Sequence, residues 1–203
     1  MSQIQLVLFD IGGVLVKWRD TWLYHAVSKK FGIDENTLTH ECEKEIINLH
    51  SGKILENDFW KKIGKKVNSI KLQKTKKSLI CETFKKKAKT NSSIIKIIKK
   101  AQENKIKVGT LSNLEKTTHH IISEFGLLAD FEFQFYSHKI GFAKPDKKIF
   151  KYVLAKVPFK SSEILFIDDK ISNVKTANSI GIKSIKYKNT NQLKQVLKKH
   201  KIL

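Results

Sequence analysis

The stretch Gln5-Leu6-Val7-Leu8-Phe9-Asp10-Ile11-Gly12-Gly13 decides how this chain is read. Its apolar run has the length of a buried strand and stops at a carboxylate and a glycine pair, both turn formers. Two further runs share this build. Ile106 to Leu111 reads as a strand followed by Ser112-Asn113, and Ile164 to Ile167 reads as a strand followed by Asp168-Asp169. From Ser92 onward, strands alternate with helical spacing. Ser92 or Ser93 caps a helix carrying Ile94, Ile95, Ile97, Ile98 and Ala101, and Lys116 to Phe125 forms the next. Phe131 to Phe135 is a short strand, and Pro145 sits in the first turn of a helix reaching about Lys156. A helix from Asn173 to Ile180, a strand from Ile182 to Ile185 and a final helix from Asn191 complete the pattern. This predicts an α/β fold with a parallel sheet and helices on both faces.

The segment between the first strand and Ser92 is different. Thr21 to Phe31, Asp34 to Leu49, Asn57 to Val67 and Leu72 to Ala88 all read as helices, with no convincing strand among them. A helical insertion after the first strand is the simplest organisation.

Of 203 residues, 40 are basic and 19 acidic, giving a formal net charge of +21. The length suits one domain, or one domain with a smaller one inserted. A hydrophobic share of 40% supplies a core and argues against disorder. The charge lies in two blocks: residues 61–100 carry net +14 and residues 170–203 net +9, whereas residues 1–60 carry −3. Arg19 is the sole arginine, although arginine suits bidentate phosphate and base-edge contacts. Aromatics are sparse in both blocks, so solvated helix faces are preferred to a nucleic-acid surface, with polyanion binding kept as the alternative. Cys42 and Cys81 do not make a disulfide framework, and Asp10 interrupts the one long apolar stretch. No basic leader precedes that stretch, so no signal peptide or membrane span is expected, and the reading points to the cytoplasm.

Ligands of open parallel sheets bind outside the carboxyl ends of the strands. Turn preference explains any one of Asp10, Ser112-Asn113 and Asp168-Asp169. All three together point to a site. The run Phe9-Asp10-Ile11-Gly12-Gly13-Val14-Leu15 resembles the first motif of the haloacid dehalogenase-like hydrolase superfamily. Leu111-Ser112-Asn113 resembles the second, and Gly141-Phe142-Ala143-Lys144-Pro145-Asp146 the third. Phe166-Ile167-Asp168-Asp169, with Asn173-Val174, Ala177 and Gly181, resembles the fourth. The segment Ser51 to Phe59 resembles the helical cap of the phosphatase-like branch.

The resemblance implies a Rossmann-like core of residues 1–16 and 90–203, with an inserted α-helical cap of residues 17–89. It implies a magnesium-dependent phosphatase acting on a small phosphorylated metabolite, with a catalytically weak regulatory relative as the alternative. Asp10 would be the nucleophile, forming an aspartyl-phosphate that water hydrolyses. Mg²⁺ would be held by the Asp10 carboxylate, the Gly12 carbonyl, and Asp169 with help from Asp168. Ser112 and the backbone at Asn113 would donate to phosphate oxygens, and Lys144 would neutralise the transferring group and hold Asp10. Asn173 would orient the ligands from behind. The acidic pair argues against dehalogenation, which needs no metal in this family.

One departure matters. The family's phosphatases carry a second aspartate two residues after the nucleophile as general acid and base, and here that position is Gly12. Such a group contributes about 10²–10⁴-fold, so a weaker or more selective enzyme is expected. Asp20, His25 and Glu56 in the insertion are candidate replacements. His119-His120 reads as a surface pair, and Trp18, Trp22 and Trp60 as packing residues of the insertion.

Overall fold

The computed structural model describes residues 3–203. Strand β1 (Leu6–Phe9) leads to a short β2 (Val16–Lys17) and then to helices α1 (Asp20–Phe31), α2 (Glu35–His50), α3 (Glu56–Lys66), α4 (Ile70–Gln73) and α5 (Leu79–Lys87). Next come β3 (Lys89–Thr90), α6 (Ser92–Glu103), β4 (Lys107–Ser112), α7 (Lys116–Glu124), β5 (Phe133–Tyr136), α8 (Ser137–Ile140) and α9 (Lys147–Leu154). The chain ends with β6 (Ile164–Asp168), α10 (Ile171–Asn178), β7 (Lys183–Lys186) and α11 (Thr190–Lys199).

Five strands form one parallel sheet in the order β5-β4-β1-β6-β7. β1 is central and buried throughout, which is why its sequence is apolar without interruption. Its side chains still alternate. Val7 and Phe9 join an apolar layer with Ile94, Ile97 and Ile98 of α6 and Ile121 and Ile122 of α7. Leu6 and Leu8 face the opposite layer, with Ile149, Phe150 and Val153 of α9 and Ala177 of α10.

Helices α1 to α5 enclose a third apolar cluster of their own, including Leu23, Leu38, Phe59, Trp60, Ile63, Leu72 and Ile80. Trp60 and Phe59 are fully buried there; burial of a large apolar side chain contributes about 1.5–3 kcal/mol. The antiparallel ribbon of β2 and β3 closes the base of this helical segment by pairing Val16 with Thr90 and Lys17 with Lys89.

Several boundaries differ from those expected. The single helix predicted over Leu72 to Ala88 is two. Lys74, Thr75, Lys76 and Lys77 supply no apolar stripe, and Ser78 starts α5 afresh by accepting from the Cys81 amide. Pro145 lies outside its helix, because the Asp146 side chain caps α9 by accepting from the Lys148 amide. The N-cap of α6 is Asn91, not a serine; its side chain turns away to donate to the Val14 carbonyl and the Tyr187 hydroxyl. Among the described residues no helix is long and apolar enough to cross a membrane.

Candidate active site

The strand register builds the site. Phe9 pairs with Thr110 on one side and Ile167 on the other, so Asp10 and Asp168 stand at one level of the sheet edge. The connections diverge from β1 to either side, and a crevice opens at such a reversal.

Lys144 occupies the centre and is 2% exposed. Its Nζ lies 3.0 Å from Asp10 Oδ1, and it donates to Asp168 Oδ2 and the Leu111 carbonyl at 2.7 Å each. Burial opposes its charge, but the two carboxylates prevail and its pKa is raised. Asn113 fixes the Lys144 backbone from both sides: its Oδ1 accepts from the Lys144 amide at 2.8 Å, and its Nδ2 donates to the Lys144 carbonyl at 2.7 Å.

Each carboxylate has a different environment. Asp168 accepts from the Lys170 amide at 2.7 Å and from Asn173 Nδ2 at 3.0 and 2.9 Å, besides Lys144, so both of its oxygens are engaged. On Asp10, Ser112 Oγ and the Ile11 amide both donate to Oδ1 at 2.7 Å. Burial pushes the Asp10 carboxyl up to about 7; Lys144 and the Ser112 hydrogen bond oppose this, while Asp168 and Asp169 add to it. Asp169 is raised by burial and by Asp168, and its Oδ1 is buried with no hydrogen-bond partner among the described residues. One oxygen from each of Asp10, Asp168 and Asp169 lies within 4.8 Å of the other two. Lys144 pairs with Asp10 and Asp168, and Asp169 stands beside them with one oxygen unpartnered among the described residues. This donor set fits a hard divalent cation with oxygen ligands.

Gly13 belongs to this arrangement. Its φ of +80° is left-handed, and a Cβ there would stand 2.3 Å from Asp169 Oδ2. Gly13→Ala should therefore cost about 1–2 kcal/mol from the backbone alone, with further loss from the clash. Chemical denaturation checks the stability, and calorimetry with Mg²⁺ checks the carboxylate; unchanged values in both would contradict this account.

The site opens into a cleft of about 500 Å³, lined from the sheet edge by Asp10, Ser112, Lys144 and Asp169 and from the helical segment by Trp18, Tyr24, Ile46 and Phe84. Of the three candidate acid/base residues, only Asp20 lines it, accepting from Trp18 Nε1 at 3.2 Å and lying 3.8 Å from Lys170 Nζ. His25 is outside, 2.7 Å from Glu35 on the surface. Glu56 is a structural pin: it accepts from Trp60 Nε1, the Ile80 amide, and the Ser78 and Thr117 hydroxyls.

Several titratable lining residues escaped the sequence reading, among them Tyr24, Glu43, His50, Glu115 and Lys170. The available signal was Glu115, three residues beyond Ser112 on the same loop. His120 is exposed, as expected of a surface pair, but His119 is half-buried. Its ring packs 4.4 Å from Tyr136 and 5.0 Å from His138, and burial lowers its pKa to about 4. All lysines of the block at 61–100 are exposed, and Phe84 is that block's only contribution to the cleft.

Parallel strands ending in a carboxylate cluster beside one buried lysine define a Rossmann-like α/β fold with its candidate site at the sheet edge. The chain belongs to the haloacid dehalogenase-like hydrolase family, whose model matches residues 7–187. A sesquiterpene phosphatase of Aspergillus oryzae is 25% identical over 185 residues, 89% of this chain and 88% of that protein. Among solved structures, a HAD-like family hydrolase from Porphyromonas gingivalis superposes with a TM-score of 0.76 at 20% identity, covering 97% of this chain and 98% of that one. A HAD family enzyme from Bacteroides thetaiotaomicron, in complex with magnesium and inorganic phosphate, has a TM-score of 0.71 at 22% identity, covering 91% and 94% of the two chains.

Proposed function

We propose that this hydrolase is a magnesium-dependent phosphatase that cleaves small phosphomonoesters through an aspartyl-phosphate on Asp10. The observation that carries this is the cluster of Asp10, Asp168 and Asp169, the first two buried and paired with Lys144, with an Asp169 oxygen that has no partner among the described residues. The magnesium complex of the Bacteroides relative and the activity named for the Aspergillus relative support it.

The ligands would be Asp10, Asp169 and the Gly12 carbonyl, with Asp168 committed to holding Lys144. Magnesium bound there supplies charge that offsets repulsion between carboxylate and phosphate. Ser112, Ile11 and Lys144 engage Asp10 Oδ1, which leaves Oδ2 to attack phosphorus. Lys144 stays an ammonium beside the transferring group and stabilises its charge. We assign residues 17–89 as the cap that covers the site, and the rest as the core. The cap's Trp18, Tyr24, Ile46 and Phe84 favour an ester with an apolar body.

The test is phosphate release, with Mg²⁺, from sugar, nucleotide, aryl and isoprenoid monophosphates. Turnover that needs no divalent cation, or no turnover across the panel, would sink the reading. Metal binding also has a predicted pH dependence. The Asp10 carboxyl is raised in the folded chain, so without metal its ionisation destabilises the fold as pH rises toward and past about 7. A cation that binds the ionised form reverses this. The Mg²⁺-induced rise in Tm should be larger at pH 8 than at pH 5.5, and equal rises would contradict the assignment.

A further inference from the structure

Gly12 leaves the proposed phosphatase without the carboxylate that would protonate the leaving group. His25 and Glu56 are outside the cleft, and Asp20 is turned to Lys170 and Trp18. Burial drives the Tyr24 hydroxyl far above its ordinary pKa, making it a poor proton source. The remaining convergence is where the end of α2 meets the loop after β4. There His50 Nε2 lies 4.0 Å from Glu115 Oε2, with side chains only 9% and 8% exposed. Both line the same cleft as Asp10 and Ser112.

We propose that His50 is the general acid and base of this site, with Glu115 as its positioning residue; the proposal rests on the phosphatase reading above.

Three features carry it. The first is the state of Glu115. Its Oε1 is committed to capping α7, accepting from the Thr118 amide at 2.9 Å and from the Thr118 hydroxyl. That fixes the side chain and leaves Oε2 facing the imidazole. The second is the spacing. At 4.0 Å the pair is within ion-pairing range but too long for a hydrogen bond, so Nε2 keeps its donor capacity for an oxygen entering the cleft. Among the described residues Glu115 is the ring's polar neighbour. The third is rigidity. The Ser137 hydroxyl donates to the His50 carbonyl and also accepts from the Leu114 amide, tying the end of α2 to the loop that carries Ser112 and Glu115. Gly52 is packed so closely on α8 that a Cβ would sit 2.6 Å from the His138 carbonyl. His50 thus belongs to the helical segment by sequence but is held against the core. A general acid must be held in this way, and imidazole is the side chain suited to giving and taking a proton near neutral pH.

The proton balance is as follows. As Asp10 Oδ2 bonds to phosphorus and the ester P–O bond breaks, His50 Nε2 delivers its proton to the departing oxygen, releasing the alcohol. In the second step water attacks phosphorus, Nε2 takes one proton from that water, and the bond between phosphorus and Asp10 breaks. Phosphate leaves, and His50 ends protonated as it began. Glu115 Oε2 faces the imidazole through both steps.

The experiment compares phenyl phosphate, a poor leaving group, with p-nitrophenyl phosphate, which departs without protonation. His50→Gln should lower kcat/KM for phenyl phosphate by about 10²–10⁴-fold. For p-nitrophenyl phosphate, kcat/KM should change by less than about tenfold, because it reports only the steps up to phosphoryl transfer. With that substrate the variant should also show a burst of nitrophenol equal to the enzyme, since hydrolysis of the phosphoenzyme has lost its base. Glu115→Gln keeps the cap acceptor on α7 and should show the same leaving-group dependence in weaker form. Equal losses on both substrates, no loss on either, or the leaving-group dependence in Asp20→Asn instead would overturn the assignment. A wild-type protein that turns over neither ester overturns the phosphatase reading itself, and this inference with it.

Discussion

Asp10→Asn is expected to abolish turnover of every substrate, by roughly 10⁴-fold or more, the scale on which removing a nucleophile acts. The amide cannot form the phosphoenzyme, although its oxygen still accepts from Ser112 and the Ile11 amide. The same change should leave the metal-free fold as stable as the parent or more so at pH 8. Burial and the neighbouring Asp168 and Asp169 push the Asp10 carboxyl up to about 7, so the charged form is the strained one, and a neutral amide removes that strain. Activity and stability should therefore move in opposite directions, as at sites held for function. Steady-state phosphate release and thermal unfolding check both halves. Mass spectrometry should find the 80-Da adduct of a phosphoryl group (roughly, by composition) on the parent but not on the variant. Retained activity, or a clear drop in Tm, would refute this account of Asp10.

Lys144→Met should have the larger effect on stability. The lysine is buried between Asp10 and Asp168, and methionine leaves both without their counter-charge. Breaking a buried pair by removing one partner costs about 3–5 kcal/mol. At about 2–4 °C per kcal/mol for a chain of this size, Tm should fall by roughly 6–20 °C. The sign with pH follows from the direction of each shift. The Lys144 pKa is raised, so its contribution is present across the whole range below the ordinary lysine value. The carboxylates decide the rest: Asp10 and Asp169 are raised and gain protons as pH falls toward 5, so the deficit of the variant should shrink there. A pH-independent deficit would mean that lost packing against Phe166, whose ring lies 5.1 Å from Nζ, is the main loss.

The charge pattern has a different meaning once the cleft is known. The block at 61–100 has its lysines on solvent-facing surfaces, with Lys62 and Lys66 paired to Glu45 and Lys86 to Glu82. None of its lysines lines the site. The lysine ends of these pairs stay in solvent even where Glu45 is buried, so the block is best understood as a solvated surface.

The residues themselves determined the parallel core, because strand and helix periodicities are local. The apolar run of β1, the helix stripe of Ile94, Ile97 and Ile98, and the polar residues ending each strand could all be read before any contact was known. The strand-end carboxylates were legible for the same reason: a residue following a buried parallel strand has one edge at which to emerge. Helix ends were less legible, as with Pro145 and the break before Ser78, because single caps compete there. Only the tertiary structure decided which donor serves which carboxylate, that Glu56 is a pin while Asp20 lines the cleft, and that His50 meets Glu115 across 65 residues of sequence. Those relations depend on how the helical segment seats on the sheet. Its packing joins distant residues through contacts that no local periodicity encodes.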